Sequence, residues 1–600
     1  MYWVAGYISN NADEISVKKV FANISPYGAK SSFIINESPL SLIFYSQKEE
    51  VFQKNKNFYF EDEEQKCFVI AHLHNRSSLL SQLDLSSSAH DTEIMYILYK
   101  RKGIEGLKKC YGKWMFLSFD KKQNTYTIIR DHLGMFNYYY SIVNNSFFFS
   151  TNIEWLFRFK PINKEISPMQ LAGLAVGFSG NPNETTYKNV FKIPPAHYVE
   201  FTESKSDSYM YWYPKMETSL MYKSQDDYYQ HFVELFTNII NESLKNADTI
   251  ASTLSSGLDS TFVTAIAADV LKKQNKSLTA ITASPKYADV APKSPYRYSD
   301  EIPLAELVAK KYPNIRHLID KATETDPING LIKSIEVHLY PVRNAGNQYW
   351  IFSMLEKLKE NKVDTLLIGQ MGNLTYSWPF FNPIDVKSQL KKKIKKILFQ
   401  SQPFYIKNSY LASSFVKKNH VVSYLKKLNY KPDLHSSDLG VMRNHFFQQM
   451  QSVGYSAWNE KANYYGINVI DPTADVRLIE YCFSIPPSLF KNENGNRQFI
   501  RHAAKDIVPN EILSNQKKAI QSADAGKRVL EVYHGYNHLL NQAFNNSLTT
   551  ELFDTDMLIK TVESNKFSTH VFLRSLLIIL FIYFATNNSD FRTNKEILLI

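Results

Sequence analysis

Leu254-Ser255-Ser256-Gly257-Leu258-Asp259-Ser260-Thr261 is the stretch on which the reading of this chain turns. An apolar pair, Ile250-Ala251, precedes it, and the helix-like run Phe262-Val263-Thr264-Ala265-Ile266-Ala267-Ala268 follows. A strand, a tight Ser/Gly turn and a helix start together present backbone N–H groups and the positive end of a helix to an anion. Ser255, Ser256 and Ser260 add hydroxyl donors, Gly257 permits close approach, and Asp259 supplies a carboxylate suited to a divalent cation. No Lys follows in the Gly-x-x-x-x-Gly-Lys-Ser/Thr pattern, which excludes the phosphate loop of kinases and GTPases.

Working outward, 600 residues exceed what one core can hold, so about two or three domains are expected. A hydrophobic content of 44% with 21% charged residues is that of an ordinary globular chain. The net charge of +11 suits an anionic ligand such as ATP or an acidic peptide. No nucleic-acid-binding motif is present. Cys67, Cys110 and Cys482 form no C-x-x-C pair, which argues against a zinc site or disulfide framework and fits a reducing cytoplasm. The first residues carry no signal-peptide pattern. The longest apolar run, Ser575 to Ala585, is too short to span a bilayer and reads as a buried helix.

Residues 1–205 read as β-rich, with strand-like runs at Tyr2–Ile8, Ser32–Ile35, Phe58–Phe60, Phe68–His72, Trp114–Phe119, Thr125–Ile129, Asn137–Ile142 and Ser146–Ser150. Helical stretches fall near Ser78–Leu85 and Thr92–Arg101. Sheets packed face to face with helices outside are expected. From Asp226 the texture alternates: helix Tyr228–Asn246, strand Thr249–Leu254, helix Thr261–Lys273, strand Leu278–Ala283, helix Pro303–Lys311, strand Arg316–Ile319, helix Asn347–Asn361, strand Thr365–Gly369. That order predicts a parallel sheet covered on both faces. Beyond Pro379 the pattern is helical, and the linker between the halves, 1–205 and 206–600, is placed at Glu203–Met216.

With the elements placed, the loop at Ser255–Ser260 resembles the pyrophosphate loop of ATP pyrophosphatases, and nearly the whole chain resembles the asparagine-synthetase superfamily. Arg130-Asp131-His132-Leu133-Gly134 with Asn137-Tyr138-Tyr139-Tyr140, the pair Asn75-Arg76, and Lys192-Ile193-Pro194-Pro195-Ala196-His197 are similar to segments of that superfamily's glutamine-hydrolysing domain. The resemblance implies an α+β N-terminal glutaminase-like (Ntn-hydrolase-type) sandwich, then an α/β ATP-pyrophosphatase synthetase domain with a helical C-terminal part. Glutaminase chemistry there needs an N-terminal Cys with a free α-amine. Position 2 is Tyr and no cysteine precedes Cys67, so a retained fold without ammonia production is expected.

In the second half, Leu366-Leu367-Ile368-Gly369-Gln370-Met371-Gly372-Asn373 stands where the synthetases have Gly-x-Gly-x-Asp, so Asn373 replaces a metal-binding Asp. Asp471-Pro472-Thr473-Ala474-Asp475 replaces a Pro-Phe-Leu-Asp segment, and Ser514 to Asp524 covers the place of a catalytic Lys. With Thr375 and Ser377-Trp378, these segments resemble the lasso peptide cyclases most. That resemblance implies adenylation of an Asp or Glu side chain by ATP with Mg²⁺, release of pyrophosphate, and amide formation with the peptide's N-terminal amine. It implies a precursor peptide as substrate and a leader peptidase and leader-binding protein as pathway partners. Ser255, Ser256, Gly257, Leu258, Ser260, Gly369 and Gln370 would hold the nucleotide, Asp259 and Asn373 the metal, and Lys518 or Lys517 would stabilise developing charge, with Lys518 in better register.

Other features stay open at this level. Asp471 and Asp475 either face substrate or cap the helix of Leu478, Ile479 and Cys482. Arg343, Asn344 and Asn347 either face substrate or form an ordinary loop. Asp300-Glu301 could hold metal or ribose, and Lys391–Lys396 could guide an acidic peptide. Rivals are a ligase acting on a small molecule, such as an asparagine or β-lactam synthetase, and a non-catalytic nucleotide-binding scaffold. A sulfur-transfer or tRNA-modifying pyrophosphatase is disfavoured by the missing C-x-x-C pairs.

Overall fold

The computed structural model describes residues 2–9, 16–22, 29–37, 40–46, 58–178, 181–202, 205–215, 220–287, 289, 296–378, 403–428, 430, 439–453, 456–492, 495–565 and 568–587. The first half holds two six-stranded antiparallel sheets. Strands β1 (Tyr2–Ile8), β2 (Ser31–Glu37), β3 (Leu40–Ser46), β8 (Tyr139–Val143), β9 (Ser146–Ser150) and β10 (Phe191–Lys192) form one, in the order β10-β8-β9-β1-β3-β2. Strands β4 (Tyr59–Glu61), β5 (Gln65–Leu73), β6 (Gly112–Asp120), β7 (Thr125–Arg130), β11 (His197–Phe201) and β12 (Ser206–Met210) form the other, in the order β12-β11-β7-β6-β5-β4.

Alternation along each strand sorts the side chains into layers. Val4, Leu42 and Phe44 meet Phe68, Ile70, Met115 and Leu117 between the sheets. On the outer face of the second sheet, Cys67, Val69, Trp114 and Phe116 take Leu79 of helix α1 (Arg76–Leu83) and Ile94, Met95 and Leu98 of α2 (Asp91–Lys102). On the outer face of the first, Tyr7, Ile43 and Phe148 take Trp155, Phe159 and Leu171, the last from α3 (Pro168–Ala175). The result is the expected sandwich with helices outside. Part of the stretch expected as linker is structured: β12 pairs with β11 from His197↔Met210 to Phe201↔Ser206, while residues 203, 204 and 216 lie outside the described residues.

The second half opens with α4 (Gln225–Ser243), whose start is fixed by a capping box between Ser224 and Asp227. Strands β13 (Ile250–Thr253), β14 (Leu278–Ala283), β16 (Ile315–Asp320), β17 (Thr365–Leu367) and β18 (Asn468–Ile470) form a parallel sheet in the order β16-β14-β13-β17-β18. A two-residue strand, β15 (Arg297–Tyr298), pairs separately with Lys518–Ala519. Helices α5 (Leu258–Lys273), α6 (Ile302–Lys311), α7 (Pro327–His338) and α8 (Gln348–Glu360) follow the expected alternation. Strands β14 and β16 lie to one side of β13 and β17 and β18 to the other, so the order reverses beside β13. In open α/β sheets ligands bind outside the strands' carboxyl ends at such a switch point.

Helix α9 (Val476–Ser484) and a series of further helices lead to α10 (Thr569–Thr586). Of the described helices α10 alone is long and apolar enough to cross a membrane, with a mean hydropathy of 1.8, and 67% of that window is buried inside the protein. Phe572, Leu576, Leu577, Ile579 and Leu580 lie in the core that also holds α7 and the helices beneath the first sheet. The predicted buried helix is thus present and longer than the apolar run alone.

Candidate active site

The parallel register sets Ile250 beside Thr365 and Ser252 beside Leu367, so the loops leaving β13 and β17 lie side by side. The first is Leu254–Gly257. It folds on itself: the Ser255 N–H donates to Ser260 Oγ at 3.1 Å, the two hydroxyls are 2.6 Å apart, and the Gly257 N–H donates to Ser255 Oγ at 3.0 Å. The Ser256 N–H and hydroxyl both donate to Glu301 Oε1, at 3.0 and 2.7 Å. Three loop N–H groups are therefore engaged internally. The donors left for an anion are those at the start of α5, where Leu258, Asp259 and Ser260 have no intrahelical acceptor. Glu301 thus braces Ser256; burial raises its pKa and the Ser256 bonds oppose that.

Asp259 sits in the first turn of α5, buried, and its Oδ1 has no hydrogen-bond partner. Burial raises its pKa, while Arg497, Ser377 and Lys518 favour the ionised form. The loop after β17 closes over it. A Cβ at Gly369 would stand 3.2 Å from the Asp259 carbonyl carbon and the Ser260 nitrogen, and one at Gly372 would stand 2.8 Å from Asp259 Cβ. A side chain at Gly372 would thus press on the Asp259 side chain, and one at Gly369 would crowd the backbone at the start of α5. Asp471 fastens the same turn, accepting the Gln370 N–H at 3.1 Å and the Thr473 hydroxyl at 2.6 Å, and burial pushes its pKa up to about 7. Thr473 Oγ1 accepts the Met371 N–H at 2.9 Å.

Two cationic residues converge on Asp259 from the C-terminal part. Arg497 donates to Asn373 Oδ1 at 2.6 Å, and Lys518 lies near Arg497, Arg297 and Asp259. Burial and the two arginines lower the Lys518 pKa, against the pull of Asp259. Its segment is held by β15: the Lys518 N–H donates to Tyr296 O at 3.0 Å and the Ile520 N–H to Tyr298 O at 2.9 Å. The Tyr298 hydroxyl in turn donates to Ser256 Oγ, so one chain of contacts ties Lys518 to the first loop. Lys517 and Lys518 are both exposed at the surface; Lys517 precedes the strand pair, its N–H bonded to Asn515 Oδ1 at 2.9 Å. Arg497 and Arg297 were not foreseen. They are far from the loop in sequence, and lone arginines carry no local signal.

The remaining expected residues divide. Asn347 joins the Lys518 segment: it donates to Gln521 Oε1 at 2.8 Å and accepts the Ser522 hydroxyl at 2.7 Å. Arg343 and Asn344 are exposed on the loop that precedes it. Asp471 and Asp475, expected as substrate contacts or caps, act inward. Asp471 holds the Gln370 turn, and Asp475 caps α9 through the Arg477 N–H at 3.0 Å and pairs with the Arg477 guanidinium at 2.9 Å. Asp300 accepts the Ile302 N–H at 3.0 Å and the Ser284 hydroxyl at 3.2 Å, so it braces the start of α6. Lys391–Lys396 lies outside the described residues.

In the N-terminal half, the Arg130-Asp131 pair is a structural knot. Asp131 accepts the N–H groups of Leu133 and Met135, and Arg130 donates to Gly134 O at 2.8 Å and to Asn137. All three cysteines are buried, and desolvation raises each thiol well above its usual range. No group of three His, Cys, Asp or Glu residues placed for a metal exists among the described residues. One buried carboxylate with an unpartnered oxygen does fit Mg²⁺, which takes one or two carboxylates and completes its shell with water and phosphate oxygens.

Fold and site together define a two-domain protein, an N-terminal glutamine amidotransferase (Ntn-type) domain followed by a synthetase domain. The family profile for asparagine synthase matches residues 231–577, and that for the glutamine amidotransferase domain matches residues 59–212. The chain belongs to the asparagine synthase family. It is 25% identical over 448 residues to asparagine synthetase [glutamine-hydrolyzing] 3 of Bacillus subtilis (strain 168), covering 71% of this chain and 70% of that one. It is 26% identical over 221 residues to the putative asparagine synthetase [glutamine-hydrolyzing] 2 of Methanocaldococcus jannaschii, covering 36% of this chain and 43% of that one. A solved structure of the allosteric regulatory enzyme of purine biosynthesis is similar over 54% of this chain and 75% of its own, at 10% identity and a TM-score of 0.25.

Proposed function

We propose that this member of a family of ATP-dependent amide ligases closes a macrolactam of the lasso type, joining an Asp or Glu side chain of a leader-free precursor peptide to that peptide's own N-terminal amine. The observation that carries the reading is the state of the cysteines. Releasing ammonia from glutamine needs an accessible thiolate, and Cys67, Cys110 and Cys482 are all buried with raised pKa values. An amine on the substrate itself removes the need for one. Asn373 and Gln370, where the synthetases' turn carries other residues, and the segments Asp471–Asp475 and Gln521–Asp524 support the same branch.

A carboxylate is unreactive because its oxygen is a poor leaving group. Its oxygen attacks the α-phosphorus of ATP, the bond to the β-phosphate breaks, and pyrophosphate leaves. The N-terminal amine then attacks the carbonyl carbon of the mixed anhydride, AMP leaves and the amine proton passes to solvent. An α-amine with a pKa of about 7.7–8.0 is partly neutral near pH 7, so no dedicated base is assigned. The N–H groups at the start of α5 hold pyrophosphate, Ser255, Ser256 and Ser260 brace the loop beneath it rather than donate to it as expected from sequence, and Lys518 and Arg497 offset charge that grows on the phosphates and on the tetrahedral centre. Asp259 would hold Mg²⁺, which would supply charge neutralisation along the triphosphate, whereas Asn373 Oδ1, expected as a second ligand, accepts from Arg497.

On this reading a leader peptidase and a leader-binding protein prepare the substrate in the cytoplasm. A second reading, asparagine formation from aspartate and ammonia, is favoured by the names of the similar proteins. Purified protein with ATP, Mg²⁺ and a peptide bearing a free N terminus and an internal Asp or Glu separates the two. A peptide lighter by one water, with AMP formed, is expected. Asparagine from aspartate and ammonia, with the peptide unchanged, would replace the first reading by the second, and absence of AMP with either would leave a scaffold.

A further inference from the structure

We propose that Tyr298 is a positioning residue for Lys518: its hydroxyl joins the segment that carries the lysine to the pyrophosphate loop, so that nucleotide held by the loop meets an ammonium already in place. Three elements far apart in sequence meet around this hydroxyl: the loop after β13, the start of α6 and the turn before Lys518. Asn515 Nδ2 donates to it at 3.3 Å, and it donates to Ser256 Oγ. Ser256 Oγ in turn donates to Glu301 Oε1 at 2.7 Å, and the Ser256 N–H donates to the same oxygen at 3.0 Å.

The direction of each bond follows from the carboxylate at the end of the chain, which accepts. The Ser256 hydroxyl spends its one proton on Glu301, so its lone pair takes the Tyr298 proton, and the Tyr298 oxygen takes the Asn515 amide. The Tyr298 backbone serves the same segment: its carbonyl accepts the Ile520 N–H at 2.9 Å, while Tyr296 O accepts the Lys518 N–H at 3.0 Å. Lys518 is thus flanked by two attachments to one residue, at Asn515 before it and at Ile520 after it. Further anchors tie the segment elsewhere. Arg501 donates to Asn515 O at 3.0 Å, Ser522 accepts from Trp350 Nε1 at 3.0 Å, and Asp524 accepts the Tyr349 hydroxyl at 3.1 Å. Those bonds hold it to α8 and to the helix after Arg497; Tyr298 registers it against the pyrophosphate loop. The Lys518 side chain is exposed, so the reach of its ammonium is set by the backbone that carries it. A misplacement of about 1 Å at such a group costs up to about a hundredfold in rate.

The inference rests on the ligase reading for the role of Lys518, and the test separates the two. Full-length wild type and Tyr298→Phe are treated with limiting acetic anhydride, with and without ATP and Mg²⁺, and acetylation at each lysine is followed by mass spectrometry. In wild type, bound ATP engages the Lys518 ammonium and should slow its acetylation at least about tenfold, with Lys517 unchanged. In Tyr298→Phe that protection should fall to about threefold or less. Calorimetric ATP affinity and melting temperature should be kept, because Glu301 still braces Ser256. Asn515→Asp is the second variant. Its carboxylate would take the single Tyr298 proton away from Ser256, and the same loss of protection is expected.

Full protection of Lys518 in either variant would overturn the inference and leave the ligase reading standing. A parallel fall in ATP affinity would make Tyr298 a part of the loop's own structure and would overturn the positioning role. No protection in wild type, with ATP bound in the calorimeter, would remove Lys518 from the site and any role for Tyr298 with it.

Discussion

At the scale of single residues, the two candidate lysines differ in what holds them. Lys518 is paired to β15 and lies within the field of Asp259 and Arg497, whereas Lys517 precedes the paired strand. Lys518→Ala is expected to lower the rate of AMP formation by about 10²–10³-fold, with Lys517→Ala near wild type; equal losses in both would show that the register is wrong. Asp259→Asn keeps shape and removes charge, and should abolish Mg²⁺-dependent ATP binding, measured by calorimetry, without lowering the melting temperature. The melting temperature can rise, because Asp259 is a buried carboxylate with an unpartnered oxygen. Gly372→Ala acts from the other side. Its methyl would press on the Asp259 side chain, so about 1–3 kcal/mol of stability and most ATP affinity should be lost, read by urea unfolding and by calorimetry.

At the scale of elements, legibility followed the number of faces a segment buries. The loop at 254–261, the βα alternation and the strands β13, β14 and β17 were legible because Gly/Ser turns and long helices punctuate them. Strand β3 was not, because Leu40–Ser46 is buried along its whole length, which erases the alternation that marks a half-exposed strand. Strand β11 was missed because its burial alternates only weakly, and β12 because it is mostly exposed and polar. Helix α7 begins with Pro327 after the cap at Asp326, a start signal that was present and not used. Arg297 and Arg497 could not be found from sequence because only β15 brings the first to Lys518 and only the turn before Gln498 brings the second to Asp259. Helix α10 was legible as apolar, and its stabilising role can be tested directly. Leu576 and Leu577 are fully buried, so Leu→Ala at either should cost about 2–5 kcal/mol in urea unfolding. A cost below about 1 kcal/mol, the range of exposed positions, would mean that this face of α10 is not in the core.

At the scale of the whole molecule, the two halves meet through buried titratable groups, which makes their union pH-dependent. Lys113 of β6 donates to Asn459 Oδ1 at 2.7 Å and to Asn468 Oδ1 at 2.8 Å, bridging the second antiparallel sheet to β18. His338 Nδ1 and the Tyr340 hydroxyl bind Glu460 Oε2 at 2.6 and 2.9 Å, and Asn137 reaches the same carboxylate from the first half. His74 lies 4.0 Å from Asp475, and His132 packs against Trp212 with ring centroids 5.1 Å apart. Burial pushes His74 down to about 3 and His132 down to about 4. An unfolded histidine binds its proton near pH 6.5, so between about pH 6.5 and 4 the unfolded chain holds more protons and stability falls with falling pH. Desolvation also lowers Lys113 to about 7, against about 10.4 when unfolded. Across that interval the unfolded chain again holds more protons, so stability rises as pH rises from about 7 to 10. The raised Asp471 carboxyl opposes the histidines over the acid interval and the raised buried cysteines oppose Lys113 at the alkaline end, so each contribution is read as the difference in urea midpoint between wild type and variant. Lys113→Met, a near-isosteric neutral side chain, should flatten the alkaline interval by up to about 1.4 kcal/mol per pH unit while leaving the acid one intact. His132→Gln should do the reverse. If Lys113→Met left the alkaline slope unchanged, Lys113 would have to be accessible to water, and the junction between the halves could not be closed as described.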